Sequence, residues 1–141
     1  MGTNVDPASL KVGDEIPALS TDPISRLTLA LYAGASGDHN PIHVDLDFAR
    51  RHGMDDVLAH GMLASAYLSR MLTNWLPQDA LISFEIRFVA ITKVHDELAC
   101  RGRITERFEE EGEQRARVEL SIVSQHGETK VVGDAVVRLK R

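Results

Sequence analysis

The sequence has little cysteine, no long apolar run and no excess of positive charge. One cysteine among 141 residues excludes an intrachain disulfide, and a reducing cytoplasm is the simplest setting for such a chain. The longest apolar stretch that reads as a helix, residues 61–76, is too short and too polar to span a bilayer. Residues 1–7 carry no signal-peptide pattern. Because this stretch cannot span a bilayer, we expect no membrane insertion. A formal net charge of −5 supplies no basic surface, so we expect no nucleic-acid binding.

What the sequence does contain fits one domain over residues 1–141. Hydrophobic residues make up 43% and charged residues 26% of the chain, which is ordinary for a globular protein. A chain of this length buries a core that folds without crosslinks, and no repeat or long linker divides it. Cys100 lies on the apolar side of an alternating segment, so we predict a small core residue rather than a reactive thiol.

The first third of the chain predicts short extended structure followed by two helices. Residues 11–17 read as a turn and a short strand, whose proline favours a sheet edge. Ser25 is placed to cap a helix that ends at Gly34 or Gly37. Residues 45–52 have acidic side chains first and basic ones last, and the glycine that follows favours a two-turn helix ending there.

A third, longer helix begins at residues 61–62 and ends before Pro77. Its apolar side chains cover more than half of the circumference, whereas a surface helix normally shows a narrower stripe. We therefore expect this helix to be buried on most sides. Its main apolar residues are Met62, Leu63, Ala66, Tyr67, Leu68, Met71, Leu72 and Trp75.

Apolar and polar residues alternate in four runs after residue 80, as they do in antiparallel strands with one exposed face. The runs cover residues 82–90, 98–104, 116–122 and 131–139. We interpret the breaks between them, at 95–96, 109–113 and 126–127, as hairpin turns, and the acidic break as a solvated one. The order of elements predicts an α+β fold in which an antiparallel sheet wraps around the long helix.

The segment that carries chemistry is Tyr-Ala-Gly-Ala-Ser-Gly-Asp-His-Asn-Pro-Ile-His, residues 32–43. Its glycines, proline and polar residues suit a fixed loop that presents functional groups rather than a packed core. Asp38 and His43 suit acid–base chemistry, since one group can be ionised while the other transfers a proton near neutral pH. Asn40 either orients one of them or braces the loop. On residue chemistry alone, an ordinary turn with Asp38 or Asn40 as a cap explains the segment equally well.

This segment resembles the hydratase signature of the MaoC-like family, which includes R-specific enoyl-CoA hydratases. The signature is an aromatic residue, a small-residue turn and then Asp-x-Asn-Pro-aliphatic-His. A second similarity is His60-Gly61-Met62-Leu63, at the start of the family's central helix. The helix-then-four-strands order covers nearly the whole chain and agrees with the family's single hot-dog domain. Short members, such as the mycobacterial 3-hydroxyacyl-carrier-protein dehydratase subunits, are similar to this chain.

The resemblance implies a role for each matching residue. Asp38 and His43 would be the catalytic pair and Asn40 a supporting hydrogen-bonding residue. Gly61 would donate its backbone N–H to the thioester carbonyl, which suits a residue that opens a helix. Ser69, two turns further along, is a candidate for the acyl pocket, although a helix serine bonded to its own backbone explains it as well. His60 is expected to shape the turn rather than to take part in the chemistry.

The implied reaction is the reversible hydration of a trans-2-enoyl thioester to an (R)-3-hydroxyacyl thioester, without a cofactor. The substrate would be a thioester of coenzyme A or of acyl-carrier protein. Three hypotheses follow: a homodimeric enoyl-CoA hydratase, the catalytic subunit of a heterodimeric carrier-protein dehydratase, or a protein that binds acyl thioesters without turnover. A dimer is expected in each case, because an open sheet leaves unpaired edges.

A metal site is the competing interpretation of the histidine-rich region. The candidate ligands are His39, His43, Asp45 and His52. They fall on a predicted turn and a helix start rather than on one face of a helix, so we expect no metal.

Overall fold

The computed structural model describes residues 6–140, and at residue 140 the backbone alone. The prediction that the N-terminus lacks a signal peptide falls mostly on residues 1–5, which lie outside the described residues. The helices are α1 (Arg26–Ser36), α2 (Leu46–Arg51) and α3 (Gly61–Trp75), and the strands are β1 (Leu19–Ser20), β2 (Leu81–Phe88), β3 (Leu98–Glu110), β4 (Glu113–Ser124) and β5 (Thr129–Lys140). No helix within residues 6–140 is long and apolar enough to cross a membrane.

Side-chain caps and glycines set the ends of α1 and α2, as predicted. The Ser25 hydroxyl accepts a hydrogen bond from the N–H of Thr28 at 3.0 Å, and α1 ends at Gly37 with φ of 78°. The Asp45 carboxylate accepts the N–H of Phe48 at 3.0 Å in the same way for α2. These bonds satisfy donors that a helix start leaves without an acceptor. Both predicted helices are confirmed, and Gly37 rather than Gly34 ends the first.

The five strands form one antiparallel sheet in the order β1-β3-β4-β5-β2. The predicted turns at 109–113 and 126–127 do connect paired strands. The predicted hairpin at 95–96 is wrong, because β2 pairs with β5 and not with β3. Residues 89–97 are therefore a crossover along the end of the sheet. Alternation shows that each segment is a strand but carries no information about which strand lies beside it.

The short edge strand lies slightly later than predicted. Within residues 11–17 the structure has only an isolated bridge, between Glu15 and Arg103. The paired residues are Leu19 and Ser20, which form β1 against β3. The predicted edge position is confirmed, since β1 ends the sheet.

The sheet packs against one face of α3, which confirms the predicted α+β arrangement. The residues of α3 that are buried lie along one side of the helix: Leu63, Ala64, Ser65, Leu68, Met71 and Leu72. The prediction that α3 is buried on most sides is wrong, because Met62 is 60% exposed and Ala66 is also exposed. Cys100 is fully buried on the sheet, as predicted, and burial raises the pKa of its thiol to about 12.

Candidate active site

The loop after α1 is held by its own polar groups. The N–H of Asp38 donates to the hydroxyl of Ser36 at 3.1 Å, and the Asp38 carboxylate accepts the N–H of Asn40 at 3.3 Å. The Asn40 side-chain oxygen accepts the N–H of Ile42 at 3.1 Å and so caps a short 3-10 turn at Pro41–His43. Asn40 therefore braces the loop, which is one of the two roles that its sequence position allowed.

This bracing brings Asp38 and His43 together. Nε2 of His43 lies 3.7 Å from Oδ2 of Asp38, with 13% of the histidine side chain and 53% of the aspartate side chain exposed. Nδ1 of His43 is 2.7 Å from the carbonyl oxygen of Leu58. Because a carbonyl only accepts, the proton of a neutral His43 ring sits on Nδ1 and the lone pair sits on Nε2. The basic nitrogen thus faces the carboxylate, at a separation longer than a hydrogen bond.

A second histidine, His60, lies directly against this pair. Its ring stacks on that of His43 with 3.8 Å between centroids and 23° between planes. Its Nε2 donates to the backbone carbonyl of Asp38 at 3.3 Å, and the ring of Tyr32 meets it edge-on at 4.7 Å. His60 is only 1% exposed. This burial, and then the neighbouring His43, lower its pKa, so His60 stays neutral near neutral pH.

The sequence did not predict that His60 lies against His43, since His60 was expected only to shape the turn. It precedes α3 but makes no side-chain capping bond, so a capping role does not explain it. Its Nδ1 has no hydrogen-bond partner within the described residues. The one available signal was the largely apolar sequence around this histidine, residues 57–63, which favours burial over exposure.

Gly61 opens α3 beside a small cavity. The cavity measures about 190 Å³ and is lined by His43, Leu58, Ala59, Gly61, Phe88, Ala90, Ile91 and Thr92. A Cβ atom on Gly61 would lie 3.0 Å from two ring carbons of Phe88, so a side chain at this position would crowd the cavity. The first N–H groups of a helix have no acceptor within it, and the helix dipole favours negative charge there.

Ser69, the predicted acyl-pocket residue, is not brought to the pair. Its hydroxyl donates to the backbone carbonyl of Ala66 at 2.9 Å, and it is not among the residues that line the cavity. It lies eight positions after Gly61 in the helix, which corresponds to about 12 Å along the axis. In this structure Ser69 is a helix serine bonded to its own backbone, which is the alternative that its sequence position left open.

Among residues 6–140, one group of side chains lies close enough together to hold a metal ion, and it differs from the predicted candidates. It consists of Asp38, His43 and His60, whose ligand atoms lie within 4.8 Å of one another. The two rings are nearly parallel, so their in-plane lone pairs do not converge on one point as a tetrahedral ion requires. The arrangement is suited to moving protons rather than to chelation. His39, Asp45 and His52 are outside this grouping.

Comparison with known proteins places the chain in a family. Residues 9–127 match the MaoC like domain. The (R)-specific enoyl-CoA hydratase of Aeromonas caviae is 30% identical over 133 residues, which is 93% of this chain and 96% of that protein. The solved (R)-hydratase structure from A. caviae has a TM-score of 0.81 over 94% of this chain and 98% of that chain.

Two further relatives are similar. The structure of R-hydratase PhaJ1 from Pseudomonas aeruginosa is 29% identical, with a TM-score of 0.83 over 95% of this chain and 84% of that chain. The mitochondrial 3-hydroxyacyl-[acyl-carrier-protein] dehydratase of Arabidopsis thaliana is 34% identical over 89 residues, covering 63% of this chain and 52% of that protein. This chain thus matches about half the length of the plant protein. With a sheet packed on α3 and the signature loop beside it, the chain belongs to the MaoC-like family and has its hot-dog fold.

Proposed function

We propose that the chain reversibly adds water to trans-2-enoyl thioesters, with Asp38 and His43 as its acid–base pair. The observation that carries the proposal is that His43 and Gly61 line one cavity while the Asp38 carboxylate lies beside His43. Nε2 of His43 faces the Asp38 carboxylate at 3.7 Å. Gly61, the first residue of α3, lines the same cavity as His43. The relative from Aeromonas, matched along nearly its full length, is named as such a hydratase.

The proposed hydration moves two protons. Asp38 takes a proton from a water molecule while the water oxygen attacks C3 of the enoyl group. Protonated His43 delivers its Nε2 proton to C2, and the Gly61 N–H stabilises the negative charge that develops on the thioester oxygen. Asp38 ends protonated and His43 ends neutral, and exchange with solvent at the half-exposed Asp38 restores both. In dehydration His43 removes the C2 proton and Asp38 protonates the leaving hydroxyl.

The loop geometry supports this division of roles. The bond from His43 Nδ1 to the Leu58 carbonyl keeps Nε2 as the nitrogen that exchanges a proton. The cap at Asn40 fixes the bend between the two residues. The gap between Nε2 and the carboxylate is too long for a direct hydrogen bond, so each group is free to meet its own substrate atom. A protein that only bound thioesters would have no need of this pair.

The proposal includes a second copy of the chain at β2. This strand ends the sheet, and an unpaired strand edge readily pairs with another chain. The apolar residues exposed at and just beyond it are Ile82, Phe88, Val89 and Ile91. Phe88 and Ile91 also line the cavity, so a partner at this edge would close the cavity from solvent. Light scattering after gel filtration should give the mass of a dimer.

The substrate test uses the purified chain with four thioesters: crotonyl and trans-2-octenoyl groups, each on coenzyme A and on acyl-carrier protein. We expect loss of the enoyl absorbance with at least one coenzyme A thioester, and an (R)-3-hydroxyacyl product on chiral analysis. Turnover confined to the carrier-protein thioesters would favour the carrier-protein dehydratase. Activity only after mixing with a related hot-dog subunit would favour a heterodimer. An inactive chain under all these conditions would overturn the proposal.

A further inference from the structure

Lys130, near the start of β5, is a buried cation that the proposed mechanism does not use. It is 2% exposed. Its Nζ donates to the backbone carbonyl of Ile91 at 2.8 Å, lies 3.4 Å from Oδ2 of Asp96 and forms an ion pair with Glu128. A buried ammonium persists only where partners replace its lost hydration. Here those partners include the crossover between β2 and β3.

The crossover, residues 89–97, contains no strand, and Lys130 holds it at several points. The backbone carbonyl of Lys130 accepts the N–H of Val89 at 3.0 Å and that of Ala90 at 3.3 Å, while its side chain binds the carbonyl of Ile91. Asp96 adds a further tie, because its Oδ2 accepts the N–H of Lys93 at 2.8 Å. One residue of β5 therefore anchors three successive residues of the crossover.

Those residues form one wall of the cavity and connect to the site. Ala90, Ile91 and Thr92 all line the cavity. The carbonyl of Thr92 accepts the N–H of Ala59 at 2.9 Å, which is two residues before the Gly61 donor. Lys93 makes a β-bridge with Leu58, the residue whose carbonyl holds His43. Lys130 thus holds residues 89–91 of the crossover, and the next two residues, Thr92 and Lys93, pair with the backbone that leads to the Gly61 donor and that holds His43.

We propose that Lys130 is a positioning residue that fixes residues 90–92 as one wall of the cavity beside Gly61 and thereby sets which acyl chains this cavity accepts. The inference rests on the proposed function for its substrate, although the structural link stands by itself. Lys130 touches neither Asp38 nor His43, so it acts only through the crossover. Without the ammonium, the Ile91 carbonyl and the Asp96 carboxylate lose a buried partner, and the wall must rearrange or admit water.

Arg115 offers a matched control at the other end of the β4–β5 pair. It is also a buried cation, and it is held by carboxylates at the β3–β4 hairpin: Glu110, Glu111 and Glu113. None of these residues lines the cavity. Removing this charge takes away a buried cation and its ion pairs, as Lys130→Met does, but it leaves the crossover untouched.

The test compares Lys130→Met with Arg115→Met by two measurements. The first is the ratio of kcat/KM for crotonyl-CoA to that for trans-2-octenoyl-CoA. The second is amide hydrogen exchange of residues 57–61 and 89–96 without substrate. For Lys130→Met we expect the ratio to change by about fivefold or more and exchange in both segments to quicken about tenfold or more. Arg115→Met should keep both at the parent values.

An unchanged ratio and unchanged exchange in Lys130→Met would overturn the inference, as would equal changes in Arg115→Met, which would indicate general loosening. If Lys130→Met does not fold, Asp96→Asn takes its place, since it weakens the same cluster while keeping the ammonium, and the same outcomes decide. If the parent chain hydrates no thioester, the proposed function fails. Exchange then still decides whether Lys130 holds the wall.

Discussion

Two ends of the molecule use charged side chains in opposite ways. At the hairpin end, residues 106–117, Arg115 is ion-paired with three glutamates. Glu113 also pairs with Arg138 at 2.9 Å, and Arg138 and then Arg115 hold the pKa of Glu113 below its usual range. At the site end, the Asp38 carboxylate accepts one backbone N–H and faces His43 across a gap longer than a hydrogen bond. The ion-paired side chains stabilise the hairpin, whereas Asp38 and His43, which are not hydrogen-bonded to each other, remain available to a substrate.

The contrast is tested most strongly by removing one carboxylate charge at each end. Asp38→Asn should lower kcat/KM for crotonyl-CoA by about 10²–10⁴-fold, the usual worth of a general acid or base, with little change in thermal stability. Glu113→Gln should keep the activity and lower the unfolding temperature, because it loses ion pairs at the hairpin. Hydration rates and thermal unfolding measure both. Equal losses of activity in the two variants would remove the distinction between the ends.

Adding a methyl group at Gly61 should have the next largest effect. A Cβ atom there would press on the Phe88 ring at 3.0 Å and displace the proposed N–H donor, so Gly61→Ala should reduce kcat about tenfold or more. Gly34→Ala is the matched control, because nothing lies within 4 Å of its Cβ. In α1 it should stabilise the fold by about 0.5–1 kcal/mol. An unchanged kcat in Gly61→Ala would mean that the donor lies elsewhere.

His60 predicts a pH effect on stability that begins below pH 6.5, whereas the lowered pKa of Glu113 at the hairpin end affects stability only below about pH 4.5. Because burial lowers its pKa in the folded chain from the ordinary 6.5, the unfolded chain binds this proton more readily. The effect is absent above pH 6.5. As the pH falls below that value, stability is lost until the pH passes the folded pKa. Urea unfolding of His60→Gln between pH 7 and pH 5 should show a shallower loss than the parent.

Cys100 gives the last comparison, between a buried ionisable group and the exposed Asp38. This thiol is ionisable, like Asp38, but it is fully buried, and burial raises its pKa to about 12. A thiol reagent at pH 8 should therefore leave the folded chain unlabelled and label it completely in denaturant. Rapid labelling of the folded chain would place Cys100 outside the core.

Local patterns predicted the helices and the signature loop, because neighbours in sequence determine both. Ser25 and Asp45 cap the helices that follow them, and Asn40 braces the bend between Asp38 and His43 through contacts two residues away. These interactions are short in sequence, so residue type and spacing were enough. The resemblance to the MaoC-like signature then indicated which chemistry the loop serves.

Features that depend on distant contacts could not be predicted in this way. The pairing of β2 with β5 joins segments about fifty residues apart. A register shift between Leu81 and Ser83 leaves Ile82 exposed, against its place in the alternation. His60 meets His43 only because the start of α3 folds against the loop. The contacts of Lys130 with the crossover likewise appear only once the sheet order is known.

The central claim is that Asp38 and His43 act as one pair, and the double variant tests it most directly. The measurement is kcat/KM for crotonyl-CoA in Asp38→Asn, His43→Ala and the combined variant, each with its fold checked by circular dichroism. Residues that work as a unit lose their effect together, so the double variant should be about as slow as the slower single variant. If the two losses multiply instead, the residues act independently and the pair is not the catalytic unit.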